Sequence, residues 1–102
     1  MGDSFHEILK LRVETNQALL DFIRTDLDLC LVFATVAETA HSMDHRAHAE
    51  RNLANAEKGY SDMLRYFLRA TGMTAEVESE LQSKFNQLRE RLNRLQQRRL
   101  GR

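Results

Sequence analysis

Apolar positions recur at helical spacing along almost the whole chain. Leu9, Val13, Asn16, Leu20 and Ile23 follow one another at four and three residues, one face of a helix, and Ile8, Leu19 and Phe22 widen the stripe. Ser4-Phe5-His6-Glu7 just before it is an S-x-x-E capping box, able to satisfy the first free amides. Asn16 is the polar entry in this stripe; it reads as a half-exposed position, or as a register-setting residue in a coiled-coil seam.

The stretch from Asp26 to Ser42 is apolar on nearly all sides as far as Ala37. Leu27, Leu31 and Ala34 form one flank, and Cys30, Phe33, Val36, Ala37 and Ala40 another. A helix apolar all round needs neighbours on several sides, so this stretch is expected at the centre. After Ser42-Met43-Asp44, with Asp44 as N-cap, a further helix should bury Ala49, Leu53, Ala56, Tyr60, Met63, Leu64 and Phe67. Gly59 in its middle costs about 1 kcal/mol relative to alanine, which points to a close backbone approach or a kink.

Thr71-Gly72 is a stop, with Gly72 suited to the left-handed position past a helix end. Thr74 then caps a last helix in which Leu81, Phe85, Leu88, Leu92 and Leu95 repeat at four and three, a narrow seam for one partner helix. The predicted helices are 4–24, 26–42, 45–70 and 75–99. Thr25-Asp26-Leu27-Asp28 reads as a second N-cap and favours a break there. The unbroken phase through Leu27, Cys30, Ala34 and Ala37 argues for one long helix instead. The expected fold is all-α: a bundle of three to four antiparallel helices in a single domain, 1–102.

Composition supports this picture and narrows the chemistry. The chain has 102 residues, no proline and four glycines, the profile of a helical protein. Cys30 is the single cysteine, so neither an internal disulfide nor a cysteine zinc site can form within one chain. The most apolar run, 27–37, falls well short of the roughly 20 residues a membrane span needs. A cytoplasmic location with no membrane partner is the expectation. Net charge is zero but segregated: residues 1–44 carry eight acids against three Lys/Arg, and residues 84–102 carry seven Lys/Arg against one acid. Such polarity favours antiparallel pairing, within the chain or between two chains.

Phe33, Val36, Ala37 and Ala40 on one helix, with Ala49, Leu53 and Ala56 on the next, stand at the spacing of a tetratricopeptide (TPR) repeat, which the hairpin at about 30–62 resembles. Small residues at 37, 40 and 49 permit close crossing, and Phe33 and Leu53 fill the gaps. The sequence departs from the family in having Asp44 where glycine is usual, Ser61 in place of the terminating proline, and no second copy. A lone repeat leaves its faces uncovered, so the flanking helices should pack on it. The resemblance implies partner binding on the inner face of its first helix, at Leu31, Ala34, Glu38, His41 and Ser42.

Chemistry beyond packing rests on thin signals. Glu38-x-x-His41 is half of a helical di-iron motif, and with His45 and His48 it gives the candidate metal ligands; a full site would need a second chain. No phosphate loop or nucleophile motif is present, and Cys30 lies in the most apolar segment, where a thiol is inert packing. The arginine-rich last helix has the charge for nucleic acid but no reading motif. The sequence therefore predicts a non-enzymatic helical interaction or oligomerisation module without cofactor. Its partner would be a protein or a second copy, bound through Leu31, Ala34, Glu38 and His41 and through the seam Leu81, Phe85, Leu88, Leu92 and Leu95. The alternatives are a metal-binding bundle completed by dimerisation at Glu38 and His41, and a nucleic-acid-associated regulator.

Overall fold

A computed structural model describes the backbone from Gly2 to Leu100 and the side chains of residues 16–98. The capping box at Ser4–Glu7 and the stripe positions Ile8, Leu9 and Val13 lie outside the described side chains. Three helices make up the described residues: α1 (Gly2–Ser42), α2 (Arg46–Arg69) and α3 (Ala75–Leu100).

The expected break near Thr25 does not occur, since α1 runs for 41 residues without interruption. Packing explains the continuity. Ile23, Leu27, Cys30, Ala34 and Ala37 are all buried on one face, and a break at 25 would rotate the last four away from the core. A capping oxygen at Thr25 recovers about 1 kcal/mol, less than the roughly 1.5–3 kcal/mol that burial of Leu27 alone contributes.

Asp44 does not cap α2 either. It adopts a left-handed conformation, φ 61, and closes α1. The Asp44 amide donates to the His41 carbonyl (3.1 Å) and the His45 amide to the Ala40 carbonyl (2.8 Å), the paired bonds of a Schellman motif with Asp44 at C′. His45 is the N-cap residue of α2 and gives it no side-chain hydrogen bond.

α2 returns antiparallel to α1. Ala40 and Ala49 are buried near the turn, and Ala37, Leu53 and Ala56 below them, so small side chains let the two backbones approach. Gly59 shows how closely they do so: a Cβ there would overlap Cys30 Sγ. Tyr60, Leu64 and Phe67 of the predicted α2 face are half-buried against the core, while Ala49, Leu53, Ala56 and Met63 lie within it. At the second turn Gly72 takes φ 71, two residues past the C-cap Ala70. Asn16 donates to the Thr71 carbonyl, which ties the turn to α1. Thr74 then caps α3, its Oγ1 accepting from the Val77 amide at 3.2 Å.

α3 runs parallel to α1 in a fixed register. Arg24 with Glu80, Asp28 with Lys84, and Thr35 with Arg91 are each 56 residues apart. The seam Leu81, Phe85, Leu88, Leu92 and Leu95 is buried between α1 and α2. Phe85 sits between Tyr60 and Phe67, with ring centroids 5.8 and 5.2 Å away. The result is an elongated bundle of 65 × 23 × 16 Å.

Candidate functional site

The predicted partner residues are placed as follows. Ala34 and the whole α3 seam are buried within the chain, so the structure corrects their assignment as a surface open to a partner. Leu31, Glu38 and His41 are half-buried, because α3 runs over the flank of α1 that the TPR resemblance marked as a binding face. Ser42 is exposed and its hydroxyl donates to the Glu38 carbonyl at 3.1 Å. His45 and His48 lie exposed at the α1–α2 turn. Among the described residues, no group of three or more His, Cys, Asp or Glu side chains converges as metal ligands.

The face of α1 that neither helix covers is a different one. Phe22, Thr25, Leu29, Val32, Val36, Thr39 and Met43 follow at alternating three and four residues, and none is charged. At 3.6 residues per turn this stripe points about 150° away from the buried Ile23–Ala37 face. It faces solvent: Phe22 is 51% exposed, Leu29 47%, Val32 56% and Met43 60%. Val36 is half-buried, and the threonines are exposed. An uncharged heptad stripe on an outer helix face has the form of a coiled-coil seam awaiting a partner.

The two ends of this stripe differ. At the lower end Phe22 stands edge-on against Tyr66 of α2, ring centroids 6.1 Å apart, an aromatic pair open to solvent. At the upper end an open, mostly apolar pocket of about 320 Å³ lies between the helices, lined by Val36, Thr39, Ala40, Met43, His45 and His48 among others. Charges along the α3 side of the stripe also change sign. Asp21 and Asp28 flank its lower part, bound to Arg24 and Lys84 at 2.8 and 2.5 Å. Arg91, donating to Thr35 Oγ1 at 2.8 Å, and the exposed Arg94 and Arg98 lie on α3 along its upper part.

Cys30, the one thiol, belongs to the opposite face. Burial first, and then the charge and hydrogen bond of Asp26 and the charge of Asp62, push its pKa up to about 11. A thiol so protonated and 2% exposed is packing, not a nucleophile. No helix among the described residues is long and apolar enough to cross a membrane.

The seven stripe positions were readable as a second heptad pattern in the sequence. Cutting the helix at 24–26 hides it, since Phe22 and Leu29 then fall on different elements. No family model matches the chain, and neither a curated protein nor a solved structure does. The structure itself defines the class, an all-helical three-helix bundle that, among the described residues, leaves an apolar face of α1 uncovered.

Proposed function

We propose that the protein is a non-enzymatic helical interaction module that docks a partner helix on the outer face of α1. The observation that carries this reading is the uncharged stripe from Phe22 to Met43 on the side away from the core. Soluble proteins seldom leave a contiguous apolar patch beyond a few hundred Å² uncovered, and those that do use it for binding. Strong helix formers with charged outer positions, as on α3, would serve a face that only meets water. The TPR-like spacing of the hairpin fits this role as a rigid support that presents α1, rather than as a peptide groove.

A photo-crosslinking residue at Val32, in the cells that make the protein, tests the reading. Protein adducts, own copies included, are expected from Val32 and not from Arg89, exposed on α3 beside its groove with α2. No adduct at Val32, or equal adducts at both positions, would overturn it.

A further inference from the structure

Resting on that reading, we infer that the partner is a second copy of this chain, its α1 packed antiparallel on the first along the same stripe. Three features of the surface are complementary to themselves in this arrangement.

The first is shape. A two-fold axis crossing α1 between Leu29 and Val32 sets Leu29 against Val32 of the other copy, Thr25 against Val36 and Phe22 against Thr39. That pairing alternates the two heptad positions across the seam, as antiparallel helices require. It also brings the half-exposed Phe22 ring over the pocket at Val36, Thr39 and Met43. An aromatic knob entering a pocket, made twice by symmetry, is the form of an isologous interface with a central anchor.

The second is charge. Because α3 is parallel to α1 in register, the acidic start of α1 and the basic end of α3 lie at opposite ends of the bundle, and the two charged segments meet near its middle, at Asp28 and Lys84. Residues 16–28 and 60–84, which share the lower half of the bundle, carry seven acids against four Lys/Arg. Residues 29–59 and 85–98, in the upper half, carry five acids against seven Lys/Arg. Antiparallel pairing lays the negative half of each copy beside the positive half of the other; parallel pairing stacks like on like.

The third is sidedness. An antiparallel two-fold axis keeps both α3 helices on one side of the interface and both α2 helices on the other. Asp21 and Asp28 on the α3 side therefore approach the level of Arg91, Arg94 and Arg98 of the second copy. Phe22 and Tyr66, on the α2 side, meet the pocket edge formed by His45 and His48. Each feature finds its complement on the correct flank.

Sedimentation equilibrium over about 1 μM to 1 mM, the range where weak to moderate association is resolved, provides the test. The wild type should approach twice the 11.9 kDa chain mass. Val32→Glu and Phe22→Ala should each weaken the dimer at least tenfold while far-UV circular dichroism stays unchanged. A spin label at Ser42→Cys in a Cys30→Ala background fixes the orientation. Antiparallel pairing separates the labels by roughly 35 Å and parallel pairing by less than about 20 Å, from the 1.5 Å rise and the 8–10 Å interaxial distance.

A wild type that stays monomeric overturns the second-copy inference but leaves the α1 docking reading to the Val32 crosslink. A dimer unaffected by both substitutions places the contact elsewhere. A short label distance overturns the antiparallel order.

Discussion

Gly59 and Cys30 occupy facing positions with room for a sulfur or for an added methyl, but not both. Alanine at a helix interior is ordinarily better than glycine by about 1 kcal/mol. Overpacking a tight interior contact costs about 1–3 kcal/mol, so the net effect of Gly59→Ala is destabilisation. With Cys30→Ala already in place the sulfur is gone, and the same substitution should become stabilising. Urea denaturation of the four proteins in this cycle reads the sign change directly; an unchanged sign would remove the contact as the cause.

The same thiol carries a pH dependence. Its folded pKa is raised from 9.0 to about 11, so the folded state holds the proton more tightly than the unfolded one. That contribution is complete below pH 9 and is lost as pH rises through 11. Wild type should therefore lose stability relative to Cys30→Ala across this window. Urea midpoints measured at intervals from pH 8 to 11 give the comparison.

Among the elements, α3 has changed role most between sequence and structure. Its seam reads in the sequence as the site of a partner helix from outside the chain or within it, and in the structure it is the third wall of the core, with Leu88 fully buried. Leu88→Ala should thus cost about 2–5 kcal/mol, as large-to-small core changes do. Leu68, 74% exposed on α2, should cost within about 0.5 kcal/mol on the same change. Thermal unfolding compares the two, and similar losses would contradict the assigned packing.

Helical class, the Ala49–Phe67 face, the Thr74 cap and the close approach at Gly59 were all legible as local patterns. The continuity of α1 was not, because a Thr-Asp cap signal and an unbroken apolar phase compete at the same residues, and only packing decides between them. The burial of the α3 seam was not legible either. A heptad stripe states that a partner helix exists and is silent on whether it lies in the same chain. The α1 stripe, the one left open, was in the sequence but divided by the expected break.

For the whole molecule, the consequence of a parallel α1–α3 register is an elongated body with opposite charge at its two ends. Over 65 Å the two halves are separated by more than the Debye length of about 10 Å at 0.1 M salt, but by a distance comparable to the ~30 Å at 0.01 M. Screening should therefore govern encounters between copies even when the α1 seam is disabled. In Val32→Glu, dynamic light scattering is expected to report net attraction at about 0.01 M salt and to relax toward hard-body repulsion above about 0.1 M. Arg94 and Arg98 are exposed on α3 and form no ion pair among the described residues, so Arg94→Glu with Arg98→Glu removes the positive end at little cost in stability. That variant should repel itself at low salt. Attraction that persists in it, or that ignores salt in the parent, would show that the charge polarity of the bundle does not steer its copies together.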